Sequence, residues 1–232
     1  MATSGDLIKT VAAATKVPVV RTELYYRALR EAGLTSKSGR GPRSSAQMSI
    51  DDAANLLLAM AGCNEVKDGP AQVPKLRACR RYGKSRWLDL PDTVGELMHF
   101  LIQSEIDGSM GHALRVLPRS AFPVVASREF MEGYGLKIGG PEGLGATGSG
   151  EGFEGYEITI DRGDLYIRVD VYRPSLIRAN QVKVASYSPA NQQADANPYE
   201  EEGLTVRGSL HRRTFEEIAR LLAPIGEETI GK

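Results

Sequence analysis

The sequence contains little cysteine, few aromatic residues and no long hydrophobic run. Its 232 residues include two cysteines, Cys63 and Cys79, so we expect reduced thiols rather than a fold held by disulfides. No run of 18 apolar residues occurs, and residues 1–16 lack the basic-then-apolar order of a secretion signal. With 41% hydrophobic residues, the composition predicts a folded, cytoplasmic protein with a hydrophobic core and no membrane partner.

Common arrangements of catalytic or metal-binding residues are also missing. The three histidines, His99, His112 and His211, are too far apart to form an i, i+4 pair of metal ligands. Residues 143–148 match the letters of a dinucleotide-binding fingerprint, but further glycines follow instead of a helix pattern, which favours a loop. We therefore predict that the chain is not an enzyme and has neither a metal nor a cofactor.

The formal net charge of zero hides an uneven distribution along the chain. Residues 1–90 contain 15 lysines and arginines against 8 aspartates and glutamates, whereas residues 91–232 contain 14 against 21. Basic side chains gathered in one segment attract phosphates and release their counterions on binding. The first third of the chain is therefore the predicted surface for a polyanion.

Two helices joined by a tight turn are predicted at the start of the chain. Thr3, with Asp6 three residues later, forms a capping pattern, and apolar residues at helical spacing follow it. Pro18 interrupts this pattern and is suited to open a second helix over residues 18–32. The side of that helix predicted to be buried carries Leu24, Tyr25, Ala28, Leu29 and Ala32. The side predicted to be exposed carries Thr22, Glu23, Tyr26, Arg27 and Arg30.

This pattern predicts a helix-turn-helix motif, which binds DNA by placing the second helix in the major groove. Arginine can donate two hydrogen bonds to guanine, and threonine can contact a thymine methyl group. Basic residues of the glycine-containing loop 35–45 and of the stretch 75–86 are suited to contacts with phosphate or the minor groove. The residues predicted to contact double-stranded DNA are Arg21, Thr22, Tyr26, Arg27, Arg30, Lys37, Arg40, Arg43, Arg80, Arg81 and Lys84.

Two more helices are predicted before residue 110. Ser49 and Asp52 form a second capping pattern, and the helix that they open stops at Gly62. The other helix covers residues 91–106, opens at Pro91 and has an apolar face that needs a partner, so we predict it as the seam of a dimer. That face carries Val94, Leu97, Met98, Leu101 and Ile102.

The last part of the chain has the period-two alternation of β-strands. Residues 156–160 and 165–171 alternate around the turn 161–164, which predicts a hairpin. Asp161 and Asp164 are ordinary turn residues, so this pattern does not favour acid–base catalysis. Residues 182–187 and 204–210 predict further strands, and Thr214 with Glu217 predicts the start of a final helix.

The predicted fold class is α+β. An N-terminal helix-turn-helix domain (1–62) is followed by a basic linker (63–90), a helical connector or dimerisation segment (91–121) and a C-terminal α+β domain with antiparallel hairpins (122–232).

A family resemblance supports the predicted DNA-binding domain. Residues 29–34 (Leu-Arg-Glu-Ala-Gly-Leu), the Ser-Gly-Arg-Gly loop at 38–41 and residues 52–58 resemble the N-terminal part of helix-turn-helix proteins of bacterial prophages and gene-transfer-agent-like elements. The resemblance covers about residues 5–62, and Lys16 stands where such motifs usually have a turn glycine. It implies DNA binding and points to transcriptional regulators, while some small DNA-packaging subunits begin similarly.

Three hypotheses about function stay open at this point. A sequence-specific regulator would act as a homodimer on two half-sites and would use its C-terminal domain to contact the transcription machinery. A phage-type DNA-packaging adaptor would use the same helices in a ring of many subunits. A protein-interaction module would instead bind partners through exposed strand edges of residues 156–210.

Overall fold

The computed structural model describes residues 2–36, 47–82, 90–110, 155–162, 165–172, 181–189 and 207–223. These residues form an α+β fold, which confirms the predicted class. The helices are α1 (Ser4–Thr15), α2 (Val19–Glu31), α3 (Ile50–Gly62), α4 (Gly69–Ala78), α5 (Val94–Ile106) and α6 (Arg212–Leu222), with a 3-10 turn at Val66–Asp68. The strands are β1 (Arg80–Tyr82), β2 (Gly155–Asp161), β3 (Ile167–Tyr172), β4 (Gln181–Ser188) and β5 (Arg207–His211).

The five strands form one antiparallel sheet in the order β1-β4-β3-β2-β5. The predicted hairpin is confirmed as β2 and β3, because Ile158 lies opposite Val169 and Ile160 lies opposite Ile167. Tyr156, Ile158 and Ile160 of β2 and Ile167 and Val169 of β3 are buried, as the period-two pattern requires. Asp161, predicted as a turn residue, is instead the buried last residue of β2. Residues 163 and 164 of the predicted turn lie outside the described residues.

Helix α3 lies at the centre of the core. Every residue from Asp52 to Gly62 is buried, and α3 contacts α1, α2, α4 and α5 as well as strands β2 and β5. One hydrophobic cluster contains residues of the N-terminal helices, α5, the sheet and α6. The packing therefore continues across the predicted domain boundary at residue 62.

Local capping patterns set the helix starts correctly in two cases. Complete capping boxes open α1 at Thr3 with Asp6 and α3 at Ser49 with Asp52. Helix α5 starts at Val94 rather than at Pro91, because Thr93 forms a capping box with Glu96. The predicted capping box at Thr214 is wrong, since α6 begins two residues earlier at Arg212.

The segment predicted as a basic linker has regular structure in its described part. Residues 69–78 form α4, and residues 80–82 form β1, which pairs with β4. The other side of β1 is covered as well, because the Arg81 N–H donates to the Asp92 carbonyl at 2.8 Å and the Val94 N–H donates to the Cys79 carbonyl at 3.0 Å. This part of the chain therefore belongs to the folded core and is not a flexible tether.

The apolar face of α5 is covered by its own chain. Val94, Leu97, Met98, Leu101 and Ile102 are all fully buried, and α5 contacts α3, α4 and α6. The prediction that this face forms a dimer seam is therefore wrong, because the C-terminal helix and the central helix already occupy it. Among the described helices, none combines the length and the apolar character that crossing a membrane requires.

Candidate DNA-binding surface on helix α2

The connection between α1 and α2 is a tight turn centred on Lys16. Lys16 adopts the left-handed conformation, with φ at 57°, at the C-cap of α1. Its backbone N–H and that of Val17 donate to carbonyls in the last turns of α1, while the Pro18 carbonyl accepts from the first turn of α2. This left-handed residue ends α1 and redirects the chain into α2, and lysine adopts here a conformation that glycine adopts more readily.

The inner face of α2 differs from the predicted one. Thr22, Tyr25, Tyr26 and Leu29 are buried. The Tyr25 hydroxyl donates to the Cys63 carbonyl at 3.3 Å, and the Tyr26 hydroxyl lies 3.6 Å from the Met48 sulfur. The Thr22 hydroxyl donates back to the Pro18 carbonyl at 3.3 Å. The prediction that Thr22 and Tyr26 contact bases is therefore wrong, because both side chains are enclosed in the core.

The outer face of α2 is open along the whole helix. More than half of its residues are exposed, namely Val19, Val20, Arg21, Glu23, Leu24, Arg27, Arg30 and Glu31. At 100° per residue, Arg27 and Arg30 point in directions roughly 60° apart, whereas Arg21 lies on the other flank, roughly 120° from Arg27. The Arg21 guanidinium lies over the Tyr25 ring, 6.0 Å from its centroid. The structure thus brings together two of the predicted DNA-contacting arginines, Arg27 and Arg30.

Arg27 is held only weakly by a neighbour on its own helix. Its guanidinium lies 3.8 Å from the Glu23 carboxylate, and both side chains are more than half exposed. An exposed ion pair of this kind contributes at most about 1 kcal/mol and is screened by salt. Arg27 is therefore free to exchange this pair for a stronger acceptor.

The other predicted DNA-contacting residues are placed differently. Arg80 and Arg81 lie on strand β1, an element distinct from α2. Arg80 is exposed, while the Arg81 guanidinium forms a 2.8 Å ion pair with Asp92. Three basic residues of the predicted loop and one of the stretch 75–86 lie outside the described residues: Lys37, Arg40, Arg43 and Lys84.

A polar junction that the sequence pattern did not predict fixes the C-terminal end of α2. The Asn55 amide donates to the Leu34 carbonyl at 2.6 Å, and Arg77 donates to Asn55 at 2.7 Å and to Asp51 at 2.8 Å. These residues line a shallow cleft of about 770 Å³ between the ends of α2, α3 and α4. The available signal was Asn55, a polar residue inside an otherwise apolar stretch of α3.

Outside α2, the strongest candidate for a catalytic site is a carboxylate cluster between α5, α6 and β2. Arg212 lies 2.9 Å from Glu105 and 3.1 Å from Glu216, and the Tyr156 hydroxyl donates to Glu105 at 3.4 Å. Burial raises the pKa of Glu105, although Arg212 opposes that change. Because Glu105 is bound by an arginine that joins two helices, the cluster is best understood as an ion-paired structural contact.

The described part of the chain contains no cluster of side chains suited to metal binding or to thiol chemistry. The residues described there contain no group of three or more histidine, cysteine or acidic side chains that could hold a metal ion. The fingerprint at 143–148 and His112 lie outside the described residues, while His99 and His211 are exposed and lie on separate elements. Cys63 and Cys79 are buried free thiols.

No family model, curated protein or solved structure matches the chain. The clearest structural indication of function is therefore the contrast between the buried and exposed sides of α2.

Proposed function

We propose that the protein binds double-stranded DNA by placing the outer face of α2 in the major groove, and that it acts as a sequence-specific regulator of the phage or prophage type. The observation that carries the proposal is the contrast between the two sides of α2. Its inner side is anchored by buried Tyr25, Tyr26 and Leu29, whereas its outer side presents Arg27 and Arg30 to solvent. A rigid helix with exposed arginines on its open side is suited to the recognition of base edges.

The turn and the polar junction support the same proposal from the two ends of α2. The left-handed Lys16 fixes the start of the helix relative to α1. At the other end, Asn55 and Arg77 tie the Leu34 carbonyl to α3 and α4. A helix fixed at both ends loses little conformational entropy when it binds, which favours affinity and specificity.

Two charge variants test this proposal in the full chain. The first is the double variant Arg27→Ala/Arg30→Ala. The matched control, Arg213→Ala/Arg220→Ala, removes two exposed arginines from α6 instead. The full chain is used because α1 packs against α6, so a fragment would lose part of its core.

In vitro selection from a random duplex library identifies preferred sites, and fluorescence anisotropy then measures affinity as a function of salt concentration. We expect a selected sequence motif, affinity that falls steeply with salt, and a loss of roughly 1–3 kcal/mol for each arginine that contacts a base. The α6 control should keep the affinity of the unmodified protein. Absence of DNA binding at low salt, or an equal loss in the control, would contradict the proposal.

A further inference from the structure

The outer face of α2 carries exposed apolar side chains that the core does not use. In the described residues, the large hydrophobic side chains that are exposed are Val19 (48%), Val20 (71%), Leu24 (45%) and Tyr82 (57%), and three of these four lie in the first half of α2. None of the three is part of the hydrophobic cluster that forms the core. Exposed apolar side chains that are grouped on one surface are candidates for a contact outside the fold.

Val20 and Leu24 form one continuous apolar strip. They are four residues apart and therefore neighbours on the helix surface, and Arg27 follows one turn later on the same side. Valine is also a poor choice for an exposed helix position, because its branched side chain loses rotamer freedom there. Helix propensity therefore does not account for Val20, and packing in the core accounts for neither Val20 nor Leu24.

The charge around the strip indicates what covers it. Arg21 and Arg27 flank Val20 and Leu24, and Arg30 follows on the same face. Two exposed acidic residues, Glu23 and Glu31, share this face, so its arginines outnumber its carboxylates by three to two. The major groove offers the complementary combination, since the thymine 5-methyl group is the apolar feature of its floor and phosphates border it. Thr22, the residue expected to contact thymine, is buried and cannot do so.

We infer that Val20 and Leu24 are specificity-determining residues that contact thymine methyl groups in the major groove. This inference rests on the proposed function, because it requires α2 to lie in that groove. N-terminal residues of a recognition helix contact base edges, and both residues lie in the first half of α2. The preferred DNA site should therefore contain thymine at one or two fixed positions.

The test replaces thymine by deoxyuridine, one position at a time, within the selected duplex. This change removes the methyl group and keeps base pairing. We expect affinity to fall about fourfold at each contacted position, which is the effect of losing one buried methyl-sized group. In the variant Val20→Ala/Leu24→Ala, the thymine and uracil duplexes should bind equally.

Tyr82→Ala is the matched control, because it removes an exposed apolar side chain from strand β1 and should leave the thymine preference unchanged.

If the unmodified protein binds a selected site and its affinity does not change with any uracil substitution, the inference is wrong and the proposed function stands. Persistence of the thymine preference in the Val20/Leu24 variant would also overturn the inference. Failure to bind any duplex would overturn both. A loss of self-association in that variant, without any effect on DNA binding, would assign the strip to a second copy of the chain.

Discussion

Gly208 of strand β5 lies directly against Ala61 in the last turn of helix α3. A methyl group at position 208 would overlap the Ala61 carbonyl group. The same carbonyl oxygen accepts a hydrogen bond from the Arg162 side chain at 2.8 Å. The sheet and the central helix thus meet backbone to backbone, where only glycine fits.

Gly208→Ala is expected to destabilise the protein by about 1–3 kcal/mol, because either α3 or β5 must move to accommodate the methyl group. The free energy of unfolding, measured by urea denaturation, tests this. Ser209→Ala is the control, since Ser209 is exposed on the same strand and its replacement should stay within about 0.5 kcal/mol. Equal stability of the two variants would show that α3 and β5 are not in such close contact.

Asn55→Ala is expected to cost about 1–3 kcal/mol of stability. The change removes the donor to the Leu34 carbonyl and the acceptor for Arg77, so two partly buried polar groups lose a partner. Asp51→Asn weakens only the half-exposed ion pair with Arg77 and should cost less than about 1 kcal/mol. Urea denaturation of both variants gives the comparison, and a larger effect at Asp51 would contradict it. Hydrogen exchange at the end of α2 should accelerate in Asn55→Ala alone.

The two cysteines should be unreactive in the folded protein. Burial raises the pKa of the Cys63 and Cys79 thiols to about 11, from the usual 9.0. The thiolate is the reactive form, so a thiol reagent at pH 8 should label neither cysteine until denaturant is added and both then react. Rapid labelling of the native protein would show that these thiols are accessible.

The same pKa values predict a loss of stability at alkaline pH. The unfolded chain ionises its thiols from about pH 9, whereas the folded chain keeps them protonated until about pH 11. The stabilisation from buried neutral thiols is therefore complete below pH 9 and is lost as the pH rises to 11. The double variant Cys63→Ala/Cys79→Ala should show a weaker decline over this range when unfolding is followed by denaturant titration.

The purified full chain should form no assembly larger than a dimer. The apolar face of α5 is buried within the chain, and only four of the large hydrophobic side chains among the described residues are exposed. The described surface therefore offers little apolar area for a large assembly. Light scattering should therefore give one or two times the chain mass of 25.2 kDa. Addition of the selected duplex should yield two copies per site if half-sites are present. A closed ring of many subunits would instead favour the DNA-packaging adaptor over the regulator.

The parts of the fold that depend on neighbouring residues were predictable. Thr3 with Asp6 and Ser49 with Asp52 open helices because a capping box forms within four residues. The β2–β3 hairpin was predictable for the same reason, since its alternation and its turn lie in one continuous segment. In these cases, local chemistry and the tertiary structure favour the same conformation.

The candidate site was predictable only in part, because tertiary contacts decide how α2 is rotated. The buried side lies roughly 80° from the predicted one, close to a single residue's step of 100°. Tyr26 and Thr22 can be buried because their hydroxyls find partners in Met48 and Pro18. A polarity pattern assigns such side chains to solvent and Leu24 to the core, and here both assignments are wrong. Strand β1 was missed because its partner, β4, is distant in sequence.

The contact between α1 and α6 has a consequence for synthesis of the protein. The ribosome releases α1, α2 and the apolar helix α3 long before the strands and the helix that cover them. Until β5 has emerged, the side of α3 that packs against the sheet stays exposed, and exposed apolar segments of this kind bind chaperones and aggregate without them. A premature stop codon before α6 would in turn leave uncovered the faces of α1 and α5 that α6 contacts. It would yield an incompletely folded chain that proteases remove.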